Sequence, residues 1–258
     1  MKTALVQTEL ADSKEVNLAK ALRAIKASDD CDLVVLPEMT MGRRTSDTEL
    51  WHMAEDVNSG GFASALKDAA RESKVHVCAC LWEANGSDRV FNTAVVYAPD
   101  GTLKAKYRKL HLFDALSVRE SDFMLRGDDL PPVFECAGVM CGLSICYDLR
   151  FPEVYRSLVR RGAEFLVLPA AWYSGDMKVN HLHTLLAARA LENTSFAVCA
   201  NLCGSDFCGH SAAYSPYGRE METLGDKEGI LKVQIDLNEV ARVRTVLPCL
   251  ANFRDDIL

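Results

Sequence analysis

The chain repeats its own pattern, and this repeat constrains the fold more than any other feature of the sequence. Four pairs of segments share their residue pattern between the two halves: 3–7 with 140–145, 32–37 with 164–169, 75–81 with 196–202, and 97–101 with 214–218. Each half predicts a strand, a helix, a strand, a helix, two strands, a turn and a final strand. Two such sheets bury both of their faces when they pack on each other with helices outside. The repeat therefore predicts an α/β fold, a four-layer α-β-β-α sandwich with a pseudo-two-fold axis.

Capping signals predict where the helices of this sandwich begin and end. Residues 12–15 form a capping-box pattern that precedes apolar residues at helical spacing. Pro152 predicts the first turn of a second helix, Gly162 predicts its end, and a third helix is predicted over about residues 181–193. The chain has no linker and no low-complexity run between these segments. We therefore expect a single domain over residues 1–258.

Composition and charge exclude several classes of function. Of the 258 residues, 49% are apolar, which is enough for a large core, and the net charge is −7. An acidic chain without a basic stripe is unsuited to binding nucleic acid. The first apolar run is too short for a signal peptide, and no stretch approaches the length of a membrane span. We therefore expect a cytoplasmic protein that binds neither nucleic acid nor a membrane.

The ten cysteines are expected to be free thiols. Nothing in the sequence directs the chain to an oxidising compartment, and most of the cysteines fall in apolar strands, where they act as small buried apolar side chains. One group, Cys199, Cys203, Cys208 and His210, combines residue types that bind metals. Its spacing lacks the C-x-x-C pairs that structural zinc sites usually have, so we expect no metal ion.

Three reactive side chains stand at or near the ends of predicted strands. Cys146 follows an apolar run and precedes a helix start, which predicts an exposed sulfur beside unpaired backbone N–H groups. Glu38 closes a second apolar run, and Lys109 lies in a third segment of the same character. Together they supply a nucleophile, a base and a cation, which need no cofactor. Taken singly, each also has a structural explanation: a turn cap, a loop cation and a buried thiol.

The segments around these residues resemble the nitrilase superfamily of carbon–nitrogen hydrolases. The matching motifs are LVVLPE at 33–38, YRKLHLFD at 107–114 and CYDLRFPE at 146–153, in the order found in the family. Shorter stretches at 91–94, 168–172 and 188–193 are also similar to it. The resemblance implies the same α-β-β-α sandwich, a Glu38–Lys109–Cys146 triad and a thioester intermediate. It further implies a positioning role for Glu120, whose alternative is a solvated loop carboxylate.

The resemblance also implies a class of substrate. The tripeptide Cys146-Tyr147-Asp148 resembles amidase-like and carbamoylase-like members, and residues 244–255 resemble the C-terminal segment of ω-amidases. ω-Amidases release ammonia from the terminal amide of small dicarboxylic monoamides such as α-ketoglutaramate. Hydrolysis of an N-carbamoyl amino acid or a ureido acid, hydrolysis of a nitrile and a non-catalytic scaffold role remain as alternatives, in that order.

Further residues are candidates for binding this substrate. Arg43 and Arg44 follow Glu38 on the same loop, and arginine suits the bidentate recognition of a carboxylate. Their alternative is a solvated loop pair. Tyr147, Trp172 and Tyr173 are expected to form walls of the pocket; for Trp172 and Tyr173 the alternative is packing in the core or in a dimer.

The third predicted helix indicates self-association. Residues 182–191 are rich in alanine and leucine and predict an apolar helical face. Burial of such a face favours a two-fold contact. The family resemblance implies the same pairing of helix layers, with the C-terminal segment contacting the partner. We expect a homodimer or a higher even homo-oligomer.

Overall fold

The structure is a computed structural model that describes residues 1–254 and residue 256. Its helices are α1 (Lys14–Lys26), α2 (Leu50–Met53), α3 (Gly61–Ser73), α4 (Pro152–Arg160), α5 (Lys178–Asn193) and α6 (Leu237–Val246). Its strands in the first half are β1 (Lys2–Gln7), β2 (Leu33–Val35), β3 (His76–Glu83), β4 (Val90–Tyr97), β5 (Leu103–Arg108), β6 (Asp114–Ala115), β7 (Val118–Arg119) and β8 (Met124–Leu125). Those that follow are β9 (Val133–Cys136), β10 (Val139–Leu143), β11 (Phe165–Ala170), β12 (Phe196–Asn201), β13 (Ala212–Tyr214), β14 (Glu220–Thr223) and β15 (Gly229–Gln234). Two 3-10 turns cover Glu120–Asp122 and Cys146–Arg150.

The two large sheets have the same strand arrangement, which confirms the predicted repeat. The first runs β15-β1-β2-β3-β4-β5, with β8 beside β4, and the second runs β9-β10-β11-β12-β13-β14. In each sheet three parallel strands, β1-β2-β3 or β10-β11-β12, are flanked by antiparallel strands. The pseudo-two-fold relation therefore makes β1 equivalent to β10, β2 to β11 and β3 to β12. Across the sandwich β1 contacts β12 and β3 contacts β11.

Alternate residues of the strands face different layers. Leu5, Leu33 and Val35 belong to the core between the sheets, whereas their neighbours Ala4 and Val34 pack with the outer helices α1 and α3. This alternation follows from the two-residue period of a strand. The helices α4 and α5 cover the second sheet in the same way. The predicted four-layer α-β-β-α sandwich is confirmed.

The helix boundaries follow their capping residues, with one difference from prediction. The side chain of Ser13 caps α1 by accepting from the N–H of Val16, and Gly162, with a φ of 100°, follows α4 as predicted. The third predicted helix begins at Lys178 instead of about residue 181. Its N-cap is Met177, which has a φ of 57° and gives no side-chain cap. Because no capping side chain marks this start, the sequence did not reveal it.

The first sheet carries a buried ion cluster at its β3–β4–β5 edge. Glu83 accepts hydrogen bonds from Thr93 Oγ1 at 2.7 Å and from Nε and Nη2 of Arg108 at 2.9 and 2.8 Å, and it pairs with Lys106. Burial acts to raise the pKa of this carboxyl, but the hydrogen bonds from Arg108, Lys106 and Thr93 outweigh it and lower the pKa to about 2.

This cluster predicts a loss of stability in acid. Because the folded pKa of Glu83 lies below the usual 4.5, its contribution to stability is present above pH 4.5 and is lost as the pH falls toward 2. The variant Glu83→Gln lacks this contribution. We expect its free energy of unfolding to be lower than that of the unmodified protein by up to about 3 kcal/mol at pH 7. The difference should shrink as the pH falls through this window, which urea unfolding at several pH values measures.

Glu135 on β9 gives a matched control, because its side chain is exposed. The variant Glu135→Gln should keep the pH dependence of the unmodified protein. If Glu83→Gln also kept that pH dependence, the role assigned to this cluster would be wrong.

Candidate active site

Cys146 lies just beyond an end of the second sheet. β10 ends at Leu143, a 3-10 turn begins at Cys146, and α4 begins at Pro152, which is the predicted passage from strand to turn to helix. The backbone of Cys146 has a φ of 42°, a left-handed conformation that is uncommon for residues with a side chain. Strained backbone of this kind clusters at functional sites, and the thiol borders a cavity.

A buried carboxylate, Asp148, holds this turn in place. It accepts hydrogen bonds from the backbone N–H of Ile145 at 3.0 Å and from the Tyr107 hydroxyl at 2.8 Å. Its other oxygen lies 2.7 Å from Nδ1 of His111. Asp148 therefore ties the turn after β10 to the segment that follows β5. Its place in the motif CYDLRFPE was the only signal of this positioning role in the sequence.

Lys109 lies between two carboxylates. Its ammonium donates to Oε1 of Glu38 at 2.9 Å and to the two oxygens of Glu120 at 2.9 and 3.0 Å. Glu38 and Lys109 are 1% exposed, and Glu120 is 3% exposed. The alternative for Glu120, a solvated loop carboxylate, is therefore wrong. Charges this deeply buried require partners, because breaking such a pair costs about 3–5 kcal/mol.

Two further groups orient the Glu38 carboxylate. Its Oε1 accepts from Nδ2 of Asn92 at 2.7 Å, and its Oε2 accepts from the backbone N–H of Ala171 at 2.9 Å. Asn92 had no assigned role, although it lies in the stretch 91–94 that resembles the family. Glu120 is held in a similar way, since it accepts from the N–H of Phe113 at 2.7 Å.

The charges of the site keep the thiol protonated. Burial raises the pKa of Cys146 well above its usual range, and the charge and hydrogen bond of Glu38 raise it further. For Lys109, burial lowers the pKa of the ammonium, but the carboxylates of Glu120 and Glu38 outweigh burial and raise it. A neutral thiol is a poor nucleophile, so Cys146 needs a base that removes its proton during attack. Glu38 is in place to serve as that base.

A narrow cavity of about 10 Å³ adjoins the thiol. Its lining consists of Glu38, Met39, Phe113, Glu120, Cys146, Tyr147, Ala171, Trp172, Tyr173 and Lys178. The structure thus places the three predicted wall residues, Tyr147, Trp172 and Tyr173, beside Cys146. Their role in binding stays a prediction. Lys178 also lines the cavity, and nothing in the sequence marked it.

The two predicted arginines lie in a neighbouring cleft. This cleft has a volume of about 480 Å³ and shares Met39 and Tyr173 with the cavity at the thiol. Arg43 and Arg44 line it, but Arg43 is paired with Asp206 and Arg44 with Glu49. Both guanidinium groups are therefore neutralised by acidic side chains, and neither borders the cavity that holds Cys146.

Other parts of the molecule lack a comparable group of reactive side chains among the described residues. A cleft of about 390 Å³ lies beside α1 and β15, but its lining is mostly apolar and contains none of the three triad residues. Within residues 1–254 and 256, no group of three or more His, Cys, Asp or Glu side chains is arranged to hold a metal ion. Cys199, Cys203, Cys208 and His210 form no such group. We assign the chemistry to the cavity at Cys146.

All ten cysteines are free, and nine of them are buried, as expected for small apolar side chains. None of the helices in the described part of the chain has the length and apolar character that crossing a membrane requires.

Comparison with known proteins points to one family. The sequence model of the carbon–nitrogen hydrolases matches residues 2–245. The deaminated glutathione amidase of Escherichia coli O157:H7 is 34% identical over 241 residues, which cover 93% of this chain and 92% of that protein. The 2-oxoglutaramate amidase of Bacillus subtilis (strain 168) is 34% identical over 238 residues, which cover 90% of this chain and 88% of that protein.

A solved structure shows the same similarity in three dimensions. It is a glutamate-to-glutamine variant of the amidase from Nesterenkonia sp. AN1, in which acrylamide has added to the active-site cysteine. The two structures superpose with a TM-score of 0.82 at 26% sequence identity, over 96% of this chain and 98% of that chain.

Proposed function

The chain belongs to the carbon–nitrogen hydrolase family and is an amidase, and we propose that it hydrolyses the terminal amide of a small dicarboxylic monoamide. The resemblance of its motifs to the nitrilase superfamily is thereby confirmed. One observation carries the proposal: the thiol of Cys146 and the carboxylate of Glu38 line one buried cavity, and the ammonium of Lys109 contacts that carboxylate at 2.9 Å. In such a site water does not compete for the three groups, so their electrostatic effects are large.

In the proposed reaction, Cys146 attacks the carbon of the substrate amide. The thiol proton moves to Glu38 as the S–C bond forms, because the raised pKa of the thiol leaves it neutral beforehand. The carbonyl oxygen gains negative charge in this step. The ammonium of Lys109 and an unpaired backbone N–H at the start of the 3-10 turn stabilise this oxyanion.

The intermediate then loses its nitrogen. The C–N bond breaks, Glu38 gives its proton to the leaving nitrogen, and ammonia departs, which leaves a thioester on Cys146. A water molecule attacks the thioester carbon while Glu38 accepts one of its protons. The C–S bond breaks, the sulfur regains a proton, and the free acid leaves. Glu120 keeps the ammonium of Lys109 in place throughout.

The names of the two relatives support the proposed class of substrate. One is named for 2-oxoglutaramate, which is a dicarboxylic monoamide, and the other for deaminated glutathione, which is a larger amide. The cleft of about 480 Å³ beside the cavity favours a second candidate, an amide whose nitrogen carries a larger group. In that case the leaving amine lies in the cleft with Arg43 and Arg44, and the chemistry at Cys146 is the same.

The proposal predicts which amides the protein cleaves and with which thiol. The unmodified protein should release ammonia from 2-oxoglutaramate faster than from an N-carbamoyl amino acid, and a nitrile should be the poorest substrate. Cys146→Ala should fold normally and lose this activity, because no other group in the cavity can form the thioester. Ammonia release and mass spectrometry of the acyl-enzyme measure both effects.

Cys141→Ala is the matched control, because Cys141 is buried in β10 on the same segment and does not border the cavity. It should keep activity. Equal loss in both folded variants would remove Cys146 from its role, and a preference for the carbamoyl substrate would favour that alternative function.

Substitution of the charged pair should slow the chemical step. Glu38→Gln keeps the shape of the side chain but cannot accept a proton, so kcat should fall by about a hundredfold or more. Lys109→Met removes the cation near the oxyanion and should lower kcat by a similar factor. Lys104→Met, an exposed lysine on the same strand segment, is the control. Full turnover by Glu38→Gln at neutral pH would place the base elsewhere.

We also propose that the protein forms a dimer, although through a smaller helix surface than the sequence predicts. Leu182, Leu186 and Ala190 of the predicted face are buried in the chain's own core. Exposed apolar side chains near this helix include Leu191, Tyr217 and Val246, which are 44%, 52% and 68% exposed. Leu191 lies against the turn at Gly218, and Tyr217 and Val246 line one cleft. We call these three neighbouring side chains the apolar patch. Asp255, at the end of the ω-amidase-like C-terminal stretch, lies outside the described residues.

Light scattering at micromolar concentration tests this assembly. We expect a mass of twice 28.5 kDa or a higher even multiple. Val246→Asp places a charge in the patch and should shift the mass toward that of one chain. Leu130→Asp is the matched control, since Leu130 is 66% exposed elsewhere. A fully active protein with the mass of one chain would contradict the proposed dimer.

A further inference from the structure

Lys178 is a buried cation that the triad does not use. It is the first residue of α5, it is only 7% exposed, and it lines the same cavity as Cys146. Its backbone carbonyl accepts from Nε1 of Trp172 at 2.9 Å, which fixes the start of the helix against the cavity wall. A lysine is rarely buried to this extent unless its charge has a partner.

The surroundings of this ammonium provide no such partner. Two aromatic rings lie near it: the ring centroid of Trp172 is 4.9 Å from Nζ, and that of Phe113 is 5.5 Å from Nζ. Among the residues that the structure describes, no carboxylate forms an ion pair with Lys178. Lys109 differs in this respect, because two carboxylates hold it.

A second positive charge lies close by. The guanidinium of Arg150 is 4.8 Å from the same Trp172 ring, and no ion pair is recorded for it in the described residues either. The pKa of Lys178 is lowered, first by burial and then by the charge of Arg150. Two like charges with no anion between them are unfavourable in a poorly solvated place, and an anionic ligand relieves that repulsion.

We propose that Lys178 binds the free carboxylate of the substrate and thereby selects dicarboxylic monoamides over neutral amides. This inference rests on the proposed function and adds the group that recognises the far end of the substrate. Arg43 and Arg44 are less suited to this task, because acidic side chains already neutralise them and they lie outside the cavity. The empty space at the thiol is small, and the flexible stem of Lys178 can move as a substrate enters.

A pair of matched substrates tests this assignment. Glutaramate and pentanamide have the same carbon chain and the same amide, but only glutaramate carries a carboxylate at the far end. In the unmodified protein, kcat/KM should be higher for glutaramate. Lys178→Met should lower kcat/KM for glutaramate by about 30-fold, the effect of losing one charge-assisted hydrogen bond. Turnover of pentanamide should change by less than about threefold, so the ratio of the two rates is the readout.

Control variants separate a binding role from a structural one. Lys26→Met removes a lysine that is 72% exposed on α1 and should leave the ratio unchanged. Lys178→Gln keeps a polar side chain without charge and gives the same comparison if Lys178→Met does not fold. Lys178→Arg should retain more of the preference for glutaramate than either, because it keeps the charge.

The outcomes distinguish this inference from the proposed function. If the unmodified protein itself shows no preference for glutaramate over pentanamide, the proposed class of substrate is wrong. If the unmodified protein prefers glutaramate and the folded Lys178 variants keep that preference, the assignment of Lys178 alone is wrong. An equal fall in kcat/KM for glutaramate and pentanamide would show that Lys178 supports the structure of the cavity without binding the carboxylate. That result also overturns the assignment.

Discussion

The contact of one buried ammonium with two buried carboxylates is the interaction on which the site depends. Lys109, Glu38 and Glu120 bring one ammonium and two carboxyl groups together in a space almost without water. Burial raises the pKa of the Cys146 thiol, and the charge of Glu38 raises it further, so that the thiol stays neutral. The cost of burying the three charges is offset only while all of them are present. The thiol is therefore not a ready thiolate, but a base lines the same cavity as the nucleophile.

The internal repeat explains how these residues meet. Under the repeat, position 38 corresponds to position 170, and each directly follows a Leu-Pro pair. In the structure these equivalent positions touch, because the backbone N–H of Glu38 donates to the carbonyl of Ala170 at 3.3 Å. The next residue, Ala171, donates its own N–H to the Glu38 carboxylate at 2.9 Å. The strand ends of the two sheets thus meet near the pseudo-two-fold axis, and the base stands at that meeting point.

The predictability of each feature from the sequence depends on whether its cause is local. The sandwich follows from the repeat, and the approach of Glu38, Lys109 and Cys146 follows from motifs that resemble the family. The start of α5 at Lys178 carries no capping residue, so local chemistry could not indicate it. The pairing of Arg43 with Asp206 joins loops far apart in the chain, and no spacing rule predicts such a contact.

Asp148 and Lys178 are two further residues whose roles depend on non-local contacts and could not be predicted from the sequence. Asp148 is one of many acidic residues in the sequence, and its role comes from Tyr107 on β5 of the other sheet and from His111 in the segment that follows β5. Lys178 was one lysine near a helix start. It became distinctive only when its burial and the absence of a paired carboxylate in the described chain were known. Charge that is buried without a partner is a property of the folded state alone.

In the proposed reaction, the charges around the cavity also favour release of the product acid. In the proposed reaction, a neutral amide lies beside Glu38 and Glu120, where a carboxylate would be repelled, while the substrate's own carboxylate faces Lys178. The substrate is thereby oriented with its amide at Cys146. Hydrolysis converts that amide into a second carboxylate, placed beside the carboxylate of Glu38. The product is therefore held less tightly than the substrate at the reacting end, and the same electrostatics that select the amide favour departure of the acid.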